Sequence, residues 1–317
     1  MKIGIDYIPP VFFGALRMFI GAGFMFGVVW MSGGLKHFRT RQRYSEVTRD
    51  TKELQPKRRE FETSRTSSQR RPHMRQDQSG VFPTRADWPM VMSVGLLQMA
   101  IPTALMHFSL SFVDAGRASL LAFTHPIWVA PLAILFLSEK LNKATVAGLC
   151  VGMAGLGVLF NPFGFDWRNT DVLLGNGLLI LSAISWAVGI VHVRAHNWNA
   201  SPLSLSPWQM LVSGSLLLAL SLAREDISST IWDINLVYVL SFVGIAATGF
   251  AYWGAVTVSR QLPAMVSSLG FLGVPVVGIG SSAIILMEPF TLTLAMGTGL
   301  ILLGLAIMTV FGDASDE

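Results

Sequence analysis

Charge is scarce in this chain. Asp, Glu, Lys and Arg make up only 13% of its 317 residues, against 52% hydrophobic ones, whereas soluble domains carry about 25% charged residues. With a mean hydropathy of +0.54 and nine tryptophans, the chain cannot clothe a soluble domain and belongs in a bilayer. Cysteine occurs once, as Cys150 inside an apolar run, which excludes an intramolecular disulfide and a cysteine-based metal cluster. The signatures of nucleotide hydrolysis and of common metal or nucleophile chemistry are missing too: no G-x-x-x-x-G-K-[ST], no H-E-x-x-H, no Asp-rich metal motif and no nucleophile elbow. An enzyme is the least favoured reading, and neither cofactor nor metal is expected. The apolar stretch from Ile8 to Leu35 exceeds a signal-peptide core and has no A-x-A site, so it reads as a membrane helix rather than a cleavable leader.

What is present is a series of apolar runs of about the 20 residues a span requires. There are nine: Ile8 to Met31, Met90 to Val113, Ala118 to Leu137, Ala144 to Phe160, Val172 to Val193, Leu205 to Ala223, Leu236 to Ser259, Ala264 to Met287 and Thr291 to Phe311. Short joints with turn and cap residues separate most of them, among them Lys140-Leu141-Asn142 and Ser201-Pro202. The long joint, Lys36 to Arg85, holds 14 basic and six acidic residues. With the loops on its side it gathers 18 of the 23 Lys and Arg; the opposite side holds Lys2, Arg117, Arg168 and Arg224, and Arg17 lies within the first run. The positive-inside rule puts the basic segment and the acidic tail in the cytoplasm and the first residues outside.

The chain also repeats itself. A shift of 149 residues superposes Gly95 on Gly244, Ala115 on Ala264, Pro126 on Pro275, Glu139 on Glu288, Gly148 on Gly297 and Gly155 on Gly304. The first run has its partner at a shift of 192, which aligns Arg17 with Gln209 and leaves a 43-residue insertion in the first half, inside the basic segment. The run Val172 to Val193 would need a counterpart about 20 residues before Met1. The sequence therefore reads as an all-α polytopic membrane protein of two inverted five-helix repeats, the first lacking its first helix. An odd number of helices per repeat inverts the halves, as in many secondary transporters. The expected units are a first-repeat helix over 1–35, a basic disordered cytoplasmic insertion over 36–89, the remainder of the first repeat over 90–161, the second repeat over 172–311 and an acidic tail over 312–317.

Ile8-Pro-Pro-Val-Phe-Phe-Gly-Ala-Leu-Arg-Met-Phe, the segment from Phe112 to Leu121 with Pro126 and Ser138-Glu-Lys-Leu, and the second copy Gln261-Leu-Pro-Ala-Met-Val with Pro275 and Met287-Glu-Pro-Phe resemble the EamA-type proteins of the drug/metabolite transporter superfamily. The resemblance covers nearly the whole chain. It implies ten helices in two inverted repeats, both termini cytoplasmic, a central cavity to which the first helix contributes, and export of small metabolites such as amino acids from bacteria. The missing helix and the basic insertion depart from that pattern, so a truncated, inactive transporter or a membrane interaction protein is the alternative.

Several residues are candidates for the substrate path. Pro126 and Pro275 sit inside spans, where each removes a backbone hydrogen bond, and such helix breaks either line a cavity or serve packing alone. His125, beside Pro126 and near Trp128, can bond substrate or carry a proton, or can simply be a satisfied neutral imidazole. Arg17 is a full charge within a span; it either receives a substrate carboxylate bidentately or snorkels to the interface. Its repeat partner Gln209, together with Gln98, Trp186, Tyr252 and Trp253, offers polar and aromatic lining, with packing as the alternative for each. Glu139 reads first as an interfacial boundary residue and second as a proton-coupling group. Gly148-x-x-x-Gly152 with Gly155, and Gly23-x-x-x-Gly27, permit close helix packing within one chain or in a homodimer. The basic segment has the composition of a lipid-attracted loop that engages anionic headgroups, and without aromatic interleaving it carries no nucleic-acid signature. The expected partners are a small-molecule substrate and membrane lipid, and the expected location is the bacterial inner membrane.

Overall fold

The computed structural model describes residues 7–53, 82–113, 115–139, 141–160, 168–196, 198, 200–277 and 292–311, and for 33–53, 115–117 and 119 the backbone alone. The described residues form helices joined by turns and short connections, with no strand among them. In chain order they form α1 (Pro10–Glu53), α2 (Trp88–Ser109), α3 (Ala115–Ala122), α4 (His125–Leu137), α5 (Lys143–Phe160), α6 (Thr170–Ala195), α7 (Pro202–Arg224), α8 (Ile234–Gln261), α9 (Ala264–Gly270) and α10 (Leu292–Phe311). Eight apolar stretches among them are 18 residues or longer, enough to cross a membrane. The run beginning at Ala264 is seen as a shorter apolar helix to Val277; its remainder and Glu288 lie outside the described residues.

Local chemistry sets the helix ends. Asn169 and Ser201 accept the amides of Asp171 and Ser204, at 2.9 and 3.3 Å, as N-caps of α6 and α7. Ser138, at φ 54°, closes α4 in the left-handed region. Two carboxylates cap helices remote in sequence. Glu225 accepts the amides of Val11 and Phe12 at 2.8 and 2.9 Å at the start of α1, and Glu139 accepts those of Ala264 and Met265 at 2.8 and 3.4 Å at the start of α9. Each places a negative charge on the positive end of a helix dipole.

The first helix departs from the expectation of an unstructured insert from residue 36. It continues unbroken to Glu53, because neither glycine nor proline falls between Gly34 and Pro56 to stop it. Residues 54–81 lie outside the described part.

The two halves pack through repeat-related contacts. Where α5 crosses α10, a methyl group at Gly148 would lie 2.7 Å from the Gly304 carbonyl oxygen and one at Gly155 would lie 2.6 Å from that of Gly297. The reciprocal contacts, Gly304 to Gly148 at 2.6 Å and Gly297 to Gly155 at 3.0 Å, complete a quasi-twofold crossing that only glycine permits. These glycines therefore pack within one chain. At Gly23 and Gly27 an added methyl would meet nothing within 4 Å among the described residues.

A second symmetric feature lies in α2 and α8. Each is interrupted by a π-helical segment, Val94–Ala100 and Val243–Phe250, at positions the 149-residue shift superposes. Each segment presents a glycine to the opposite repeat: Gly95 to the Gln209 carbonyl on α7, where a methyl would lie at 2.8 Å, and Gly244 to Ile20 on α1, at 2.6 Å. Two layers of core follow from this arrangement. One gathers Met18, Met25, Met99, Met210 and Leu217 where α1, α2 and α7 meet; the other gathers Val129, Leu156, Ile190, Leu269 and Ile301 around α4 to α6 and the second repeat.

Candidate functional site

Both prolines of the shifted pair stand just after a helix break. The chain leaves α3 at Ala122, turns through Phe123 and Thr124 and restarts at His125 with Pro126 in the first turn of α4. Pro126 has no N–H for the Ala122 carbonyl; His125 Nδ1 stands 3.4 Å from that oxygen instead, and the Thr124 hydroxyl donates to Leu121 O at 2.7 Å. In the second repeat the turn falls at Phe271 and Leu272, before Pro275. The two breaks face each other, with the His125 and Phe271 rings 6.0 Å apart.

Around this meeting point runs an aromatic stack. His125 lies parallel to Trp186 of α6 at 5.6 Å and 12°, and Trp186 lies at 6.5 Å and 25° to Tyr252 of α8. Phe271 closes it from α9's end, 6.4 Å from Trp186. His125 is fully buried, while Trp186, Tyr252, Trp253 and Trp128 are half-buried. Gln98, on the first π segment, lays its side chain against Gly189, one turn beyond Trp186. Ser185 and Ser182 of α6 donate to Leu97 O at 2.9 Å and Pro102 O at 3.1 Å, holding α6 to the distorted part of α2.

Polar atoms around the stack lack protein partners among the described residues: His125 Nε2, Trp128 Nε1 and Gln98 Nε2; on α7, whose Gln209 carbonyl meets Gly95, both amide atoms of the Gln209 side chain lack one too. Buried polar groups are ordinarily satisfied, and each exception calls for an explanation such as ligand or solvent contact. Trp253 packs with Phe250 and against the first core.

Arg17 belongs to a separate cluster. It is 6% exposed, donates from Nη2 to Thr103 Oγ1 at 3.3 Å, and faces His107 across α1 and α2. Glu139 lies at the end of α4 as a cap of α9, remote from His125 in role. Phe271, Thr103 and Glu225 are not among the candidates that the sequence alone offers. Phe271 was recoverable, since it stands four residues before Pro275, where a proline frees the carbonyl; Thr103 and Glu225 carry no local signal.

A model of the EamA-like transporter family matches the chain twice, over residues 74–161 and 173–310. The chain belongs to the EamA-like transporter family. Among its relatives, the uncharacterized transporter YoaV of Bacillus subtilis (strain 168) is 28% identical over 311 residues, 98% of this chain and 90% of that protein. A probable amino-acid metabolite efflux pump of Salmonella typhimurium (strain LT2) is 31% identical over 211 residues, 63% of this chain and 69% of the pump. The pump of the same description in Escherichia coli (strain K12) is 28% identical over 236 residues, 70% of this chain and 77% of that protein. A crystal structure at 18% identity superposes with a TM-score of 0.71, covering 98% of this chain and 91% of its own, and so shares the fold. This EamA protein is accordingly a multi-pass membrane transporter, and family and relatives point to transport rather than catalysis.

Proposed function

We propose that this EamA protein exports a small polar metabolite such as an amino acid from the bacterial cytoplasm by alternating access, coupled to proton entry. The observation that carries the reading is the meeting of the two broken helices at His125 and Phe271. Broken helices near mid-membrane expose carbonyls and helix ends to a substrate, and inverted repeats supply two alternative packings of one site. The stack of His125, Trp186 and Tyr252 offers flat apolar faces, while Gln98, Gln209 and Trp128 supply unspent donors and acceptors. His125 is the candidate for the proton, as an imidazole is the side chain whose charge changes near neutral pH. The names of the Salmonella and Escherichia pumps support amino acids as the substrate class.

The orientation that goes with this reading has the basic segment and the C-terminal tail in the cytoplasm, the segment lying against anionic headgroups. The test compares extracellular metabolites of cells making the wild-type protein, a Trp186→Ala variant or no protein, followed by flux from proteoliposomes. An accumulated compound that depends on Trp186 and leaves faster against an inward proton gradient is the expected result. Rates indifferent to the pH gradient overturn the coupling, and an unchanged extracellular pool overturns export.

A further inference from the structure

We infer that Arg17, Thr103 and His107 form a carboxylate-receiving subsite, present in the first repeat only. Arg17 lies seven residues into the apolar stretch Pro10–Ser32, about 10 Å from its start at 1.5 Å per residue. A guanidinium placed there without an anion is costly, and such charges are normally paired or face a wet path. Among the described residues Arg17 has no carboxylate partner; its one hydrogen bond goes to the neutral Thr103 hydroxyl, and Nε has none. Glu225, at the same end of the molecule, is committed to the amides of Val11 and Phe12 and to the Ser221 hydroxyl. His107, one turn beyond Thr103 and 3% exposed, also has a ring nitrogen, Nδ1, without a partner among the described residues. Three donors of a planar cation, a hydroxyl and an imidazole thus converge between α1 and α2 with no anion of the described chain among them.

The space for this cluster is specific to the first repeat. A methyl group at Gly14 would lie 2.9 Å from His107 Cε1 and 3.2 Å from Thr103 Cγ2, so glycine lets the imidazole reach the Arg17 face of α1. At the equivalent positions the second repeat has Ser206 for Gly14, Gln209 for Arg17, Tyr252 for Thr103 and Val256 for His107. Gln209 is fully buried and its amide has no partner among the described residues: it makes a polar site without charge. Because the repeats are inverted, the two sites lie on opposite sides of mid-membrane. A substrate carboxylate is therefore held by charge on the Glu225 side and by neutral groups on the other.

This inference rests on the reading of the protein as a transporter of small polar metabolites, and the two fail separately. Binding to the full-length protein in detergent is measured with the twenty amino acids, lactate, pyruvate and succinate, each alongside its primary amide. Acids are expected to bind at least tenfold tighter than their amides. Arg17→Gln should weaken acid binding by about 10- to 100-fold, the range for a lost charge-assisted hydrogen-bond pair, and should erase the preference over amides. Thr103→Val and His107→Phe, which leave the charge in place, should weaken it by a few fold, and Arg17→Lys should restore part of the preference. Acids binding a monodisperse Arg17→Gln protein as tightly as wild type, amides binding as tightly as acids, or no acid binding at all each overturn the subsite. Export of a neutral or cationic compound also overturns it, and leaves transport standing.

Discussion

At the scale of single residues the site separates contacts by shape from contacts by hydrogen bond. His125 offers its ring face to Trp186 and an unpartnered Nε2 to whatever stands beside it. His125→Phe keeps a flat ring against Trp186 and removes both nitrogens. If the imidazole bonds substrate, this variant should fold with a Tm close to wild type and export about tenfold more slowly, as one hydrogen bond to a charged group contributes roughly 1.5–3 kcal/mol. Unchanged export in proteoliposomes would reduce His125 to a packing residue. Glu225 poses the opposite case, a carboxylate far from the stack that ties the end of α7 to the start of α1. Glu225→Ala should lower stability by about 1–3 kcal/mol through two lost amide acceptor bonds, read as a lower Tm in detergent. Glu225→Gln, which keeps an acceptor and loses the charge on the helix dipole, should lie between them. Glu139 does the same work for α9, so a stability loss without a change in pH dependence is the outcome that fits its position.

At the scale of the element, the glycines give the sharpest contrast. Gly155 and Gly304 face backbone across the α5–α10 crossing, whereas at Gly23 and Gly27 no described residue lies within 4 Å of an added methyl. Gly155→Ala should force the two helices apart and cost about 1–3 kcal/mol through overpacking. Gly27→Ala should leave stability unchanged or raise it by up to about 1 kcal/mol through helix propensity, with thermal unfolding as the readout for both. From sequence the two glycine motifs look alike, because spacing records what a helix can do and not which neighbour it meets. The breaks at Pro126 and Pro275 were legible, since a missing N–H is a local fact. The π segments were not. Pro102 helps in α2, where its ring disturbs the turn just before it, but α8 has Ala251 at that place, and only the symmetric packing of Gly95 and Gly244 links the pair. The helical run to Glu53 was hidden for a different reason: the charge density of residues 36–53 suggested disorder, while the absence of a breaker let α1 continue.

At the scale of the whole molecule, the repeat imposes a consequence for orientation that composition alone only suggests. The caps fix which ends lie together. Glu225 holds the start of α1 beside the end of α7, and the Ile231 amide donates to Tyr7 O at 2.8 Å, so this end collects the few basic residues Arg168 and Arg224. Glu139 holds the end of α4 beside the start of α9, and Arg194 donates to Arg260 O at 3.0 Å while Arg260 stands 5.1 Å over Trp198. That end also receives the basic extension of α1. The proposed orientation follows the bias of basic residues toward the Glu139 end, which by the positive-inside rule is expected to face the cytoplasm; in that orientation the Arg17 subsite lies toward the external side. Single cysteines at Asn142 and Ser229, in a Cys150→Ala background, report the arrangement. A membrane-impermeant maleimide should label Ser229→Cys in cells whose inner membrane is intact and Asn142→Cys only after lysis. The reverse pattern would turn the molecule over and put the charged half of the path on the cytoplasmic side, where it would favour loading of an acid for export rather than its release. The labelling therefore decides which of two transport cycles an asymmetric pair of repeats can support.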